Sequence, residues 1–457
     1  MKYLFSFLLI FYFGFISAQF EIKIHTNNLN DSLLIVSIPN GERPEILDTI
    51  RSDSSGLFIY KGDVDLEAGV YFIGKRRNKQ MYKLIIKPGD NTFDVYFDFL
   101  HRRKIKVQNS PENKIYVDYL VSIDNLKLKS NLLSRGQNQV KLDSVHRLMN
   151  NIRLGFINKH KGTLAALLIK SELDWVDPVF NGVPASELEE KLLDYKLKHY
   201  LDNLDFSNPV TFRLPGTHKE LMRYFDKILI LKPSVVNNKI DELFSEMGFK
   251  SKMYEYYLPF FLKKYNRGYK GWFDRVYVHI ARNYYNKEKA PWVPQNTHAY
   301  VQDQADRKEL TLNGKIIPDI TFVTQKGDSV RLLDITAEYM ILVFWRPGCS
   351  HCRHAMPILN NLRKEFKNKA VKIVTVCTRQ RSDTYRCWDG VKKENMDKFA
   401  YNLADKGGKT KFLRKFNVGG IPMIYILDKN KRIIDKNIKA RNLIERLKEI
   451  IKKDDKR

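Results

Sequence analysis

The chain has 457 residues, too many for one ordinary core, and its 43% hydrophobic and 12% aromatic content excludes a wholly disordered polypeptide. The formal net charge is +27, spread along the chain rather than gathered in one tail. Such a balance suits nucleic acid, an anionic envelope surface or an acidic partner; no nucleic-acid motif accompanies it, so nucleic acid is set aside and the charge is read as a solvated basic surface.

Lys2 precedes the apolar run Leu4 to Ile16, and Ser17-Ala18 offer a small-residue cleavage site before Gln19. This is the layout of a secretory signal peptide over residues 1–18, cut after Ala18, and it predicts export across the inner membrane to the periplasm. The run is shorter than the about 20 residues of a spanning helix, a retained anchor being the alternative. No cysteine lies near the cut, which excludes lipoprotein-type attachment there, and no second long apolar stretch follows, so the mature chain is expected to be soluble.

Residues 19–110 alternate short apolar runs with turn signals. Leu33–Pro39, Gly56–Gly62, Gly69–Lys75, Tyr82–Asn91 and Thr92–Phe99 carry period-two patterning with β-branched and aromatic residues. Pro39-Asn40-Gly41 and Pro88-Gly89-Asp90 punctuate them, which predicts a small antiparallel β sandwich or barrel. Residues 111–295 read as helices, with a 3.6-residue rhythm through Tyr116, Tyr119, Leu120, Ile123 and Leu126, again through Leu164, Leu167 and Leu168, and through Leu188, Leu192 and Leu193 after the cap-like Ser186. The aromatic and basic run Met253–Phe273 is read as core and rim of a helix. A polar linker over about 296–309 opens the last domain, 296–457. There Tyr339–Trp345 and Val371–Val376 are continuous apolar runs of the kind buried in a parallel sheet. Met423–Asp428 and Lys431–Asp435 form a hairpin across Lys429-Asn430, and Asn442–Lys453 is a closing amphipathic helix.

All four cysteines, Cys349, Cys352, Cys377 and Cys387, fall in this last domain. An exported chain of this size does not need disulfides to close its cores, so their concentration points to chemistry. In Phe344–Leu359 a buried strand ends, a Pro-Gly turn follows, and Cys349 sits at a helix N-terminus. The helix dipole and unpaired backbone N–H groups favour an anionic sulfur there, which suits Cys349 to attack a disulfide. Cys352 lies one turn on, close enough to close a disulfide and buried enough to act as the later, resolving thiol. His351, between them, can add positive charge near the attacking sulfur.

The segment resembles the thioredoxin superfamily, in particular its exported TlpA/ResA-like thiol-disulfide oxidoreductases. Phe344-Trp345 match the family's aromatic pair, Pro357-Ile358-Leu359 its kinked helix, and Gly420-Ile421-Pro422 its Gly-(Ile/Val)-Pro segment. The resemblance implies a cis peptide before Pro422 that faces the disulfide and presents the backbone of Ile421 to a substrate strand. It covers roughly Asn313 to the C-terminus. The segment with Gly56, Phe58, Tyr60 and Gly62, with the later Val95-Tyr96-Phe97, resembles the β-rich domain that precedes such domains in Gram-negative envelope proteins. Leu204–Lys227 similarly resembles a helical domain found before them. The fold expected is therefore multidomain: an N-terminal antiparallel β sandwich, a central all-α domain, and a C-terminal α/β thioredoxin-like fold.

Three departures from the family pattern stand out. Gly348 occupies the place of a usual Trp, and Ser350-His351 replace a pair that usually contains Pro, an exchange that generally makes the couple more oxidising. Val343 stands where thioredoxins bury an acid, which leaves proton transfer at Cys352 to water, His351 or another group. Cys377 and Cys387 form a structural disulfide pinning the Thr378–Arg386 loop, a second redox pair, or two free thiols. His354 is read as a surface histidine and Arg346 as a solvated charge that could steer an acidic partner.

The resulting expectation is a periplasmic thiol-disulfide oxidoreductase, reductase or isomerase-like. Its catalytic residues are Cys349, Cys352 and Pro422, and Trp345, His351 and Ile421 support them. It needs neither cofactor nor metal, and it works on protein thiols and disulfides with a membrane or periplasmic electron donor. The alternatives are an envelope binding or assembly protein with a largely structural thioredoxin-like domain, and a zinc module built from the four cysteines.

Overall fold

The computed structural model describes residues 20–455 apart from 30–31, 76–79, 90–91, 101–104, 136–138, 231, 267–271, 368–370, 381–383 and 406. The signal-peptide segment and part of the Thr378–Arg386 loop lie outside the described residues. No helix among the described residues is long and apolar enough to cross a membrane. The chain divides into two compact units, one of residues 1–229 with 246–253 and one of residues 230–245 with 254–457.

The first unit opens with strands β1 (Phe20–Asn27), β2 (Leu33–Ile38), β3 (Glu45–Arg51), β4 (Phe58–Gly62), β5 (Gly69–Lys75), β6 (Gln80–Ile86), β7 (Thr92–Asp98) and β8 (Lys106–Gln108). They form two four-stranded sheets, ordered β4-β1-β7-β8 and β3-β2-β5-β6. Pairing is antiparallel except between β1 and β7, which run parallel. Alternate residues such as Ile22, Ile24, Leu34, Val36, Phe93 and Val95 fill one shared core, as period-two patterning requires.

Helices α1 (Pro111–Arg135), α2 (Gln139–Lys159), α3 (Leu164–Ser171), α4 (Ala185–His199) and α5 (Thr217–Arg223) follow. Asn113 at the start of α1 grips β6 by accepting the Ile85 N–H at 2.8 Å and donating to the Ile85 carbonyl at 2.7 Å. Thr163 caps α3 by accepting the Ala166 N–H. Ser186 does not cap α4: the helix already begins at Ala185 behind Pro184, and Leu188 and Leu193 on its expected apolar stripe are exposed.

In the second unit, α6 (Pro233–Met247), α7 (Lys252–Asn266), α8 (Phe273–Tyr284) and α9 (Gln295–Glu309) lead into the C-terminal sheet. The described part of the aromatic run is core, with Tyr254, Tyr257, Phe261 and Tyr265 fully buried. Residues 296–309 are not an open linker but most of α9. Val301 and Ala305 are buried there, and two buried apolar residues in a fifteen-residue helix leave too weak a periodicity to read. Buried ion pairs tie these helices to the sheet. Asp274 of α8 accepts from Lys308 of α9 at 2.7 Å and lies 2.6 Å from the ammonium of Lys436.

The remaining elements are β9 (Thr321–Val323), β10 (Ser329–Arg331), β11 (Tyr339–Trp345), α10 (Ser350–Glu365), β12 (Val371–Gln380), α11 (Tyr385–Lys393), β13 (Tyr401–Asp405), α12 (Phe412–Lys415), β14 (Met423–Leu427), β15 (Ile433–Lys436) and α13 (Leu443–Asp454). The sheet order is β10-β9-β13-β12-β11-β14-β15. β11 is central, parallel to β12 and antiparallel to β14. Its seven residues are all buried because both faces are covered. Ile341, Val343 and Trp345 face one core with α10 and α13, while Met340, Leu342 and Phe344 face the other. Each such side chain contributes roughly 1.5–3 kcal/mol by leaving water, which holds the C-terminal end of β11 rigidly in place.

Candidate active site

β11 delivers the chain to a tight turn at the sheet's C-terminal edge. The Cys349 N–H donates to the Arg346 carbonyl at 3.3 Å, closing Arg346-Pro347-Gly348-Cys349. Pro347 sits second, and Gly348 third with φ of 79°, the combination a type II turn demands. This accounts for glycine where the family usually has Trp.

Cys349 is the N-cap of α10 and its sulfur accepts the Cys352 N–H at 3.4 Å. The side chain thus meets one of the amides that a helix start leaves without a partner. The Cys349 thiol also lies 3.9 Å from the Ile421 carbonyl. Ile421-Pro422 is a cis peptide, and Met423 immediately after it pairs with Phe344 of β11. That register brings a segment more than seventy positions away against the motif.

The two thiols differ in environment. Cys349 is partly exposed, whereas Cys352 is 2% exposed. Burial pushes the Cys352 thiol up to about 12, opposed by a hydrogen bond at the Arg346 backbone and helped by the neighbouring Cys349. Such a thiol stays protonated until a mixed disulfide at Cys349 gives it a target. Val343, at the position of the missing acid, is wholly buried in the core.

Cys377 and Cys387 are bonded to each other, with Cα atoms 6.0 Å apart, so they are not available as ligands for the zinc alternative. Cys377 lies opposite Trp345 in the β11–β12 pairing. Trp345 is 1% exposed and packs beneath the motif rather than opening to a partner. His351 and His354 are exposed and line a cleft beside Ile421 and Pro422, together with Lys308 and Arg441. The cleft-lining Lys308, Lys439 and Arg441 were not legible as site residues in the sequence. Gly419-Gly420 before the cis peptide was the one available signal.

A family described as thioredoxin-like matches residues 337–433, and a domain of unknown function, DUF4369, matches residues 20–116. The thioredoxin-like protein YneN of Bacillus subtilis is 30% identical over 132 residues, 28% of this chain and 74% of that protein. The chain belongs to the thioredoxin-like family. Its thioredoxin-like domain is also similar to the thiol-disulfide oxidoreductase ResA of Bacillus cereus, 28% identical over 134 residues that cover 29% of this chain and 73% of that protein. Among solved structures, the thioredoxin domain of a thiol-disulfide oxidoreductase from Bacteroides vulgatus is 25% identical, with a TM-score of 0.28 over 30% of this chain and 96% of that one. A thioredoxin-like protein from Bacteroides caccae is 18% identical, with a TM-score of 0.47, covering 60% of this chain and 99% of that one. The thioredoxin-like domain is the part of the molecule that places two thiols of unlike exposure at one helix start.

Proposed function

We propose that the chain is an exported thiol-disulfide oxidoreductase that exchanges disulfides with protein substrates through Cys349-Ser350-His351-Cys352. The carrying observation is the asymmetry of the two thiols, one partly exposed at the α10 N-terminus beside Ile421, the other buried and held protonated. Cys349, as thiolate, attacks one sulfur of a substrate disulfide. An S–S bond to the enzyme forms, the substrate's own S–S bond breaks, and the departing substrate thiolate takes a proton. Cys352 then gives up its proton and attacks the Cys349 sulfur. The substrate leaves fully reduced with two electrons, and the enzyme keeps the Cys349–Cys352 disulfide. In the reverse direction the same steps oxidise a substrate dithiol. Pro422 offers no N–H, so the backbone at Ile421 is open to a substrate strand.

Export rests on Lys2, the apolar run Leu4 to Ile16 and Ser17-Ala18. In the periplasm a membrane-bound or soluble redox partner resets the pair. Neither nucleic acid nor a resident cofactor enters this reading. Redox titration with Cys377 and Cys387 replaced by Ser tests it. A reversible midpoint near about −270 mV indicates a reductase, and about −120 to −180 mV an oxidant or isomerase. Failure of Cys349 and Cys352 to form a reversible disulfide defeats it.

A further inference from the structure

The exchange chemistry at Cys349 makes no use of the first unit. Within that unit a cavity of about 220 Å³ opens between β6 and α1. On β6, Tyr82 and Leu84 belong to the sandwich core, so the alternate residues Met81 and Lys83 face α1, as Ile85 does. On α1, Tyr116, Leu120 and Lys127 line the cavity, and their spacing of i, i+4 and i+11 puts them on one face. Met81, Leu120 and the neighbouring Ile105 are only partly buried, so the cavity presents hydrocarbon as well as charge.

Behind it, the charges of Lys83, Lys127, Arg153, Glu172 and Asp174 act on one another. Glu172, at the end of α3, accepts from Lys83 at 2.6 Å and from the hydroxyls of Tyr116 and Tyr119, each at 3.0 Å. Asp174 accepts from Arg153 at 2.7 Å. Each carboxylate thus has its own cation, and Lys127 is the cation left over. Among the described residues its ammonium makes no hydrogen bond and no ion pair; it lies 5.5 Å from the centre of the Tyr119 ring.

That ring face attracts a cation but supplies neither a full negative charge nor a strong acceptor. Burial pulls the Lys127 ammonium below the usual lysine range, and the more distant Glu172 offsets this only in part. A partly desolvated charge without a counterion costs stability, whereas an apolar side chain of similar length would pack there without that cost. Packing therefore gives no reason for a lysine at 127. A ligand that brings the missing negative charge does.

We propose that this cavity binds a small monocarboxylate with an apolar body. Its carboxylate meets Lys127, and its hydrocarbon lies against Met81, Ile105 and Leu120. One unpaired cation calls for one negative charge. The volume equals that of about seven waters, which suits a body of phenyl size and excludes a peptide or a lipid chain.

The test is calorimetric titration of the full chain with phenylacetate, with neutral phenylacetamide and with acetate. Phenylacetate should bind saturably and at least about tenfold more tightly than either of the others. Lys127→Met should weaken phenylacetate by at least about tenfold and, without ligand, melt no lower than the wild type. Leu120→Trp, which fills the cavity and leaves Lys127 in place, should abolish binding. The proposal is overturned if phenylacetate does not saturate the wild type, or if phenylacetamide or acetate binds equally well. It is also overturned if Lys127→Met retains full affinity, or if that variant melts lower without ligand, since Lys127 would then be a structural counter-ion for Glu172. None of these outcomes touches Cys349, and a wild type that turns over no disulfide would defeat the exchange reading alone.

Discussion

Gly390 of α11 lies so close to Trp345 that a Cβ at position 390 would stand 2.8 Å from the indole Cη2. The same Cβ would meet Pro347 of the turn at 3.0 Å, and the Cys377–Cys387 disulfide anchors α11 to β12 beside Trp345. Helix α11 thus braces the strand end and turn that present Cys349. Trp345 is enclosed by core and cannot swing aside, so Gly390→Ala is expected to cost about 1–3 kcal/mol by overpacking. Chemical denaturation of the variant with the Cys377–Cys387 disulfide intact reads this, and an unchanged midpoint would show that the contact is slack.

The disulfide itself closes a short loop, with a sequence separation of 10. Removing it in the Cys377→Ser, Cys387→Ser double variant should lower stability by about 2–3 kcal/mol, chiefly by freeing the unfolded chain. Turnover of a protein disulfide should stay within about twofold of the wild type at a temperature where both are folded. A loss of turnover without loss of fold would instead make this pair a relay for electrons.

Gly348 carries φ of 79° with open space around the missing Cβ, so backbone geometry rather than packing disfavours other residues there. Gly348→Ala should lower stability by about 1–2 kcal/mol. Gly348→Trp, which restores the common family residue, should cost at least as much. If Gly348→Trp melts at the wild-type temperature, the turn accommodates an L side chain and this explanation of the glycine is wrong.

Cys352 gives a pH signature with a definite sign. Its folded-state value, about 12, lies above the about 8.5 of an unfolded thiol, so the folded state favours the protonated form. Its contribution to stability is full below about pH 8.5 and is lost as pH rises toward about 12. The reduced wild type should lose stability more steeply over that window than Cys352→Ala, as followed by denaturation at successive pH values. At pH 8, iodoacetamide should label Cys349 well before Cys352, and equal labelling would contradict the burial of the second thiol.

Much of the thioredoxin-like domain was legible because β11 and β12 are buried on both faces and therefore read as unbroken apolar runs between turn residues. The Cys349–Cys352 pair could be singled out because its two residues are near neighbours in sequence, and the structure brings the distant Ile421 carbonyl to 3.9 Å from the Cys349 sulfur. β3 left no such trace: of its seven residues only Ile50 is buried. α9 read as a linker because Val301 and Ala305 are its only buried apolar residues and its other tie is the Lys308–Asp274 ion pair, where a buried lysine looks like any other in a basic sequence. The cleft was hidden because Lys308, His351, Gly420 and Arg441 come together only through the sheet register and the packing of α9.

The order of the two thiols is tested most directly by trapping. The Cys352→Ser chain, mixed with an oxidised protein substrate and quenched with acid, should accumulate a mixed disulfide that mass spectrometry maps to Cys349. The Cys349→Ser chain should accumulate none, because Cys352 is 2% exposed. A mixed disulfide at Cys352 in the second variant, or none at Cys349 in the first, would contradict attack by Cys349 and resolution by Cys352.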